Sequence, residues 1–281
     1  MPRLPDATHV GVVRLQIADI ERSLAYYQRV LGMELLAREE GIARLGAQGA
    51  GTTLVELRER RGARPSPQNR RLGLYHFAIL LPDRAALGRL VTHLAASGER
   101  AGASDHLVSE ALYLRDPDGL GIEVYADRPR ESWTRHGGEI AMDTTPMDVE
   151  DVVRSARGER WTGMPAGTVM GHVHLHVGDL EEGSRFYHDA LGLDRVVWSY
   201  PSALFLSAGG YHHHLGINVW AGPNAPRPTE EDARLLEWTL MLPSRTDVVA
   251  VSDALRAAGH EVSDDRVIDP WGTTLHLAAQ R

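Results

Sequence analysis

The stretch Gly171-His172-Val173-His174-Leu175-His176-Val177-Gly178-Asp179 places three histidines at a spacing of two. Alternate side chains of a β-strand point to one face, so His172, His174 and His176 share a face and the aliphatic residues between them form the other. A strand face that carries several imidazoles lines either a metal site or a polar cavity. The stretch therefore predicts a strand with one core face and one functional face.

The strand and the helix predicted to follow it occur twice in the chain. Asp19 matches Asp179 and Tyr27 matches Tyr187, at an offset of 160 residues (179 − 19). A second kind of strand–helix phrase also occurs twice, and both of its copies end in an Asp-Pro pair followed by a last strand. Asp116 and Asp269 are the aspartates of those pairs. Internal repetition of this kind predicts four related units, numbered one to four here in chain order.

The composition narrows the chemistry that this chain can perform. All 30 basic residues are arginine and cysteine is absent, which excludes lysine Schiff-base chemistry, thiolate catalysis and disulfides. The net charge of −8 with dispersed arginines argues against nucleic-acid binding. No apolar run approaches the roughly 18 residues of a membrane span, and no signal-peptide core begins the sequence, so a cytoplasmic location is expected. The 14 histidines and the carboxylates make metal-assisted chemistry the leading class.

Four phrases together resemble the vicinal oxygen chelate superfamily and, within it, the catechol 2,3-dioxygenase group of extradiol dioxygenases. They stand at Leu74–Asp83, Asp105–Asp127, Gly171–Val177 and Gly209–Gly222. The resemblance covers nearly the whole chain. It implies an α+β fold in which four βαβββ units form two mixed-sheet, half-open barrels.

The unit boundaries divide the chain into three segments. Residues 1–127 hold the first pair of units, residues 128–166 form a linker, and residues 167–281 hold the second pair. A connector of that length is expected to wrap the surface or to border a site. The active barrel is expected to combine units two and three, which leaves units one and four to form the other barrel.

The resemblance also implies a ligand set. It assigns His76, His172 and Glu123 to a metal, with Fe(II) as the expected ion and Mn(II) as the alternative. Two imidazoles and one carboxylate are the ligands of non-haem Fe(II) oxygenases. If units three and four form the active barrel instead, His172 would join Glu237 and His276. A minor second site at Glu56, Glu237 and His276 is a weaker alternative.

Further histidines and a tyrosine match residues around the metal in the resembling family. Tyr113 lies ten positions before Glu123 (123 − 113), at the spacing of the family's substrate-contacting tyrosine. The resemblance assigns catalytic roles to Tyr113, His106 and His213, with His213 as the acid–base residue. His174 and His214 are assigned to substrate binding. The run from His212 to His214 is expected to lie within a strand, with His213 facing the cavity.

The predicted activity is extradiol cleavage of catechol or a substituted catechol by Fe(II) and O2. Two alternatives remain at this point: a metal-dependent lyase or isomerase of the glyoxalase kind, and a non-catalytic small-molecule-binding protein of the bleomycin-resistance kind. The expected partners are a catechol-type molecule and O2, without nucleic acid or membrane. Repeated units and sheet edges lead us to expect a homo-oligomer.

Overall fold

A computed structural model describes residues 3–67, 70–222 and 224–280. Unit one consists of β1 (His9–Ile17), α1 (Ile20–Arg29), β2 (Glu34–Glu39), β3 (Ile42–Gly46) and β4 (Thr53–Glu59). Unit two consists of β5 (Gly73–Leu80), α2 (Arg84–Ser97), β6 (Gly102–Asp105), β7 (Ser109–Arg115) and β8 (Gly121–Asp127). In both units one helix separates the first strand from three further strands.

The second half of the chain repeats this arrangement after a structured connector. The connector contains a 3₁₀ turn (Arg130–Ser132), a hairpin of β9 (Arg135–His136) and β10 (Glu139–Ile140), and α3 (Val149–Ser155). Unit three consists of β11 (Val169–His176), α4 (Leu180–Ser184) with a π-helical turn (Arg185–Ala190), β12 (Asp194–Val197), β13 (Ala203–Ser207) and β14 (Leu215–Asn218). Unit four consists of β15 (Arg234–Leu242), α5 (Arg245–Ala257), β16 (Val262–Ser263), β17 (Arg266–Ile268) and β18 (Thr274–Ala279).

Local sequence sets where the repeated helices begin. Asp19, Asp83, Asp179 and Ser244 precede α1, α2, α4 and α5 in extended conformation, and each side chain accepts a hydrogen bond from a backbone N–H of the first turn. An N-cap of this kind satisfies an amide that has no partner within the helix and stabilises it by about 1 kcal/mol. The same cap therefore starts the helix in every unit.

The strands form two eight-stranded mixed sheets with the same arrangement. One has the order β12-β13-β14-β11-β5-β8-β7-β6 and so joins units two and three; the other has the order β16-β17-β18-β15-β1-β4-β3-β2 and joins units one and four. We call them the two–three half-barrel and the one–four half-barrel. In each, the first strands of both units pair antiparallel at the centre, and the last strand of each unit pairs parallel beside them. The prediction of an α+β fold built from four βαβββ units is confirmed.

The central strand β11 has the two faces that its alternation predicted. Val173 and Leu175 are fully buried in the core on one side. His172, His174 and His176 point to the other side and are also nearly inaccessible, at 1%, 4% and 3% exposure. The imidazoles therefore line the interior of the two–three half-barrel and do not face solvent.

The connector packs against unit two. Helix α3 lies so close to α2 that a Cβ at Gly88 would collide with the carbonyl oxygen of Val152. Asp105 at the end of β6 exchanges backbone hydrogen bonds of 2.9 Å with Thr145. This bridge holds the preceding connector residues at the mouth of the two–three half-barrel. Among the described helices, none is both long enough and apolar enough to traverse a membrane.

Candidate metal centre

Three neighbouring strands bring His76, Glu123 and His172 to one point. Ala78 of β5 is in register with Glu123 of β8 on one side and with His172 of β11 on the other. Register partners in adjacent strands share a face, and His76, two positions before Ala78, points the same way. The three side chains therefore meet inside the half-barrel although they are far apart in the chain.

The donor atoms of these residues surround a common point. His76 Nε2 lies 3.0 Å and His172 Nε2 lies 3.3 Å from the same oxygen of Glu123, Oε2. The two Nε2 atoms are 3.4 Å apart. Within the described residues, this trio is the group of His, Asp or Glu side chains whose ligand atoms are placed to hold a metal ion.

The electrostatics of the trio favour a bound cation. Burial alone would raise the pKa of Glu123, but the neighbouring imidazoles of His172 and His76 hold it well below its ordinary value. Burial lowers the pKa of His172 to about 4, against the opposing effect of Glu123, so this imidazole is neutral at pH 7. A buried carboxylate needs a cation, and in the described part of the chain no arginine pairs with Glu123. A divalent ion held by two neutral imidazoles and one carboxylate meets this need.

The alternative ligand sets are not formed in the folded chain. Glu237 and His276 lie in the one–four half-barrel, in a different sheet from His172. Glu237 is paired with Arg14 and Arg266, so arginines already supply its counter-charge. The pairing of units three with four around a metal is therefore wrong. The weaker alternative of a second site at Glu56, Glu237 and His276 is disfavoured, because arginines pair with both of its carboxylates.

Tyr113 and His106 form a hydrogen-bonded pair beside the trio. Tyr113 of β7 is in register with Glu123, and its hydroxyl lies 2.6 Å from His106 Nε2. The other ring nitrogen of His106, Nδ1, lies 2.8 Å from the carbonyl oxygen of Asp143, so Nδ1–H donates and Nε2 accepts from the tyrosine. Burial raises the pKa of Tyr113 well above its ordinary value, and the hydroxyl is protonated.

His174 and His176 share one asparagine. The amide nitrogen of Asn218 donates to His174 Nε2 at 2.9 Å, and its oxygen accepts from His176 Nδ1 at 2.6 Å. Asn218 is fully buried and therefore fixes both rings. Gly216, in register with His174, leaves room for its ring: a Cβ there would lie 2.9 Å from the imidazole. His174 lines the cavity next to the trio, whereas His176 does not.

The sequence predicts that the run from His212 to His214 lies within a strand, and this prediction is wrong. The run forms the bends that precede β14. Because the backbone is not extended there, His212 and His213 can approach each other, and their Nδ1 atoms are 2.8 Å apart. His213 lines the cavity and packs on His172, with ring centroids 3.9 Å apart. Burial, followed by the neighbouring imidazoles of His172 and His212, lowers the pKa of His213 well below its ordinary value.

His214 is placed elsewhere. Its Nδ1 accepts from the backbone N–H of Ala208 at 3.2 Å, and it is not among the residues that line the cavity. Burial lowers its pKa to about 3, so the ring is a neutral, hydrogen-bonded part of the protein interior. This position does not support the predicted role of His214 in substrate binding.

A cavity of about 220 Å³ opens over His76 and Glu123. Its lining consists of aromatic, small polar and imidazole side chains together with one thioether and one carboxylate: Tyr75, His76, Ser104, His106, Ser109, Tyr113, Glu123, Met142, Thr144, His174, Tyr200, Phe205, His213 and Trp220. Met142 and Thr144, which come from the connector, were not predicted as site residues, and neither were Tyr200 and Phe205. Tyr75 and Trp220 were also not predicted, but they lie within Leu74–Asp83 and Gly209–Gly222, two of the phrases that resemble the family. Their position in those phrases is the sequence signal that could have identified them as site residues.

The fold and the site have counterparts among known proteins. The family model described as the glyoxalase/bleomycin resistance protein/dioxygenase superfamily matches residues 8–124 and 169–277, and the chain belongs to this superfamily. A catechol-2,3-dioxygenase of Bacillus subtilis (strain 168) is 45% identical over 277 residues, which cover 96% of this chain and 96% of that protein. The predicted resemblance to the catechol 2,3-dioxygenase group is confirmed, and the chain is a catechol 2,3-dioxygenase-like enzyme.

Solved structures support the fold. A Bacillus subtilis crystal structure (subsp. subtilis str. 168) matches 99% of this chain and 86% of that chain with a TM-score of 0.67 at 12% identity. Glyoxalase I from Zea mays matches 97% of this chain and 92% of that chain with a TM-score of 0.56 at 18% identity. At these identities the likeness establishes the shared fold.

Proposed function

We propose that this chain is an extradiol ring-cleaving dioxygenase that acts on catechol or a substituted catechol with Fe(II) and O2. The observation that carries the proposal is the convergence of His76, Glu123 and His172 beneath the cavity. Two imidazoles and one carboxylate on one side of an ion leave the positions toward the cavity free for small molecules. The Bacillus catechol-2,3-dioxygenase relative supports the same chemistry.

The proposed metal would be Fe(II), with Mn(II) as the alternative ion, held by these three side chains. When bound, it supplies a Lewis acid and redox partner that activates both the catechol oxygens and O2. The single carboxylate of the trio favours this assignment over a glyoxalase-type lyase, whose sites tend to use more than one carboxylate ligand.

Proton handling falls to the side chains around the trio. The low pKa of His213 keeps its imidazole neutral at pH 7, in the form that accepts a proton from a catechol hydroxyl. The hydroxyl of Tyr113 donates to His106, so its oxygen is free to accept a hydrogen bond from a bound hydroxyl group. The Tyr113–His106 pair therefore orients a catechol oxygen.

The cavity walls indicate the kind of ring that fits. Tyr75, Phe205 and Trp220 offer aromatic faces, and Met142 covers the cavity from the connector. In the described lining there is no arginine, and the chain has no lysine, so a carboxylate on the ring would find no counter-charge. We therefore place catechol and its uncharged derivatives ahead of acidic catechols. Self-association and a cytoplasmic location stay predictions.

Oxygen uptake tests the proposal. Protein loaded anaerobically with Fe(II) and then given catechol in air should consume O2 and form a yellow ring-fission product. A chelator added before catechol should abolish both signals. Iron bound stoichiometrically without O2 uptake would contradict the proposal and favour the lyase alternative, and a protein that binds no metal would contradict both.

A further inference from the structure

A chain of hydrogen-bonded side chains runs from the end of β8 to His213. Asp127, the last residue of β8, lies four positions after Glu123, and its Oδ1 is 2.9 Å from His212 Nε2. The opposite nitrogen of the same ring, His212 Nδ1, is 2.8 Å from His213 Nδ1. The side chain of Asp127 is 25% exposed and that of His212 is inaccessible. The chain thus links an accessible carboxylate to an imidazole of the cavity.

The hydrogen-bond pattern determines which nitrogens carry protons. A carboxylate accepts hydrogen bonds, so His212 Nε2 carries a proton and donates it to Asp127. A neutral imidazole has one N–H, and His212 Nδ1 is therefore an acceptor. His213 Nδ1 must then carry the proton of the 2.8 Å contact. The lone pair of His213 consequently lies on Nε2.

Packing holds this chain in place. The ring of Tyr211 lies against that of His212, with centroids 4.1 Å apart, and its hydroxyl also donates to Asp127 at 3.3 Å. Trp133 from the connector covers His212 on another side, with centroids 5.3 Å apart. A second hydroxyl, that of Tyr125, lies 2.7 Å from the hydroxyl of Tyr211. His212 therefore has little freedom to rotate away from either partner.

We propose that Asp127 and His212 are positioning residues that hold His213 as the Nδ1–H tautomer and leave Nε2 to accept the substrate proton. The inference rests on the proposed function for its consequence, but its structural content does not depend on that function. Without the acceptor at His212 Nδ1, the neutral His213 ring would be free to carry its proton on Nε2. In that tautomer Nε2 could not accept a proton.

The tautomer can be measured directly. Side-chain ¹⁵N–¹H correlation spectra of uniformly ¹⁵N-labelled protein, loaded with diamagnetic Zn(II), distinguish Nδ1–H from Nε2–H imidazoles. Loss of one signal set in His213→Gln would assign the ring. We expect Nδ1–H for His213 in the unmodified chain and a shift toward Nε2–H in His212→Phe and in Asp127→Ala. An Nε2–H signal in the unmodified chain, or an Nδ1–H signal unchanged in both variants, would overturn the inference.

Kinetics on the Fe(II)-loaded enzyme provide the second readout. General acid–base catalysis contributes about 10²–10⁴-fold, so we expect His212→Phe to lower kcat by at least ~10-fold with KM nearly unchanged and iron content intact. His212→Asn keeps an acceptor near the Nδ1 position and should recover most of kcat. The control variant is His188→Phe. His188 belongs to the same unit, and its ring nitrogen Nδ1 bonds to the carbonyl oxygen of Leu193.

Outcomes of the kinetic test separate the two proposals. An equal loss of kcat in His212→Phe and His212→Asn, with Zn(II)-loaded spectra that show His213 unchanged, would overturn the positioning role. An unmodified enzyme that binds iron but does not consume O2 with catechol would contradict the proposed function. In that case the tautomer spectra still decide the structural part of the inference.

Discussion

The two half-barrels share one topology but differ in the side chains that line their interiors. In the two–three half-barrel, His76 of the central strand faces Glu123 of the last strand of the same unit. At the corresponding positions of the one–four half-barrel stand Glu237 and His276, and His276 is in register with Thr239 as Glu123 is with Ala78. The backbone presents the same places in both halves, so the chemistry depends on the side chains that occupy them.

The halves differ in where the counter-charge of a buried carboxylate comes from. In the one–four half-barrel Arg14 pairs with both Glu237 and Glu56, and Arg266 Nε lies 2.5 Å from Glu237. Arg58 lies 2.7 Å from Glu56. Guanidinium groups thus neutralise these carboxylates permanently. Glu123 is similarly buried but has imidazoles as partners, so its permanent counter-charge would have to come from a bound cation.

Removing one buried carboxylate from each half-barrel tests this contrast. The largest effect is expected for Glu123. Glu123→Gln keeps the shape of the side chain and removes a charged ligand, so we expect metal content to fall below stoichiometry. The rate of O2 uptake with catechol should fall by more than ~100-fold, since even the outer partners of metal ligands cost 10–100-fold when lost. Elemental analysis and an oxygen electrode measure the two quantities.

Glu237→Gln is the matched variant in the other half. It leaves Arg266 without its carboxylate and leaves Arg14 with Glu56 alone. This should destabilise the fold by about 1–3 kcal/mol while the remaining folded protein keeps its metal. His276→Ala is a milder change in the same half-barrel and should keep most of the activity. Loss of metal in Glu237→Gln with retention in Glu123→Gln would reverse the assignment of the two half-barrels.

Metal removal should destabilise the unmodified chain and leave Glu123→Gln unaffected. A ligand that binds only the folded state stabilises it by about 2.7 kcal/mol when its free concentration is 100 times Kd. We therefore expect chelation to lower the free energy of unfolding of the unmodified chain by about that amount, measured by urea unfolding with and without chelator. An equal loss in Glu123→Gln would show that the metal binds elsewhere.

His76, Glu123 and His172 could be predicted from the sequence because all three lie in regular strands whose pairing brings them together. His172 lies in an alternating strand, and the four phrases resembling the dioxygenase family supplied His76 and Glu123 at matching places of the repeat. The fold class followed from the same repetition. Register between β5, β8 and β11 then brings the residues together without any contribution from a loop, which is why pattern reasoning sufficed.

Residues outside regular elements could not be placed in this way. Met142 and Thr144 reach the cavity because Thr145 pairs with Asp105, a contact between segments far apart in the chain. The contact between Asp127 and His212 depends on the bends at His212 and His214, which the extended strand predicted for this run does not contain. Such contacts depend on how loops pack against the folded sheet, and a local sequence pattern does not predict that packing.

A pH-dependent effect is expected in the framework that joins the half-barrels. Burial raises the pKa of Asp116 to about 7, although two backbone N–H groups and Tyr27 donate to it. Between about pH 4 and pH 7 the unfolded state loses this proton while the folded state keeps it. The contribution of Asp116 to the free energy of unfolding is therefore fully present below about pH 4 and is lost as the pH rises through about 7. The stability of the unmodified chain relative to Asp116→Asn should therefore fall by up to about 1.4 kcal/mol per pH unit in that window. Urea unfolding at several pH values measures it, and parallel curves would contradict the expectation.

The smallest expected effect compares the two tyrosines that cross between the half-barrels. Tyr27 of unit one donates to Asp116 of unit two at 3.2 Å, and Tyr187 of unit three donates to Asp269 of unit four at 2.8 Å. Both hydroxyls are fully buried, and a hydrogen bond of this kind contributes about 1 kcal/mol. We expect Tyr27→Phe and Tyr187→Phe each to lower the free energy of unfolding by about 1 kcal/mol without changing metal content. Because the framework is repeated while the interiors differ, similar losses in both variants support a symmetric framework that is independent of the metal. A loss of metal in Tyr187→Phe alone would show instead that the framework and the site are coupled in unit three.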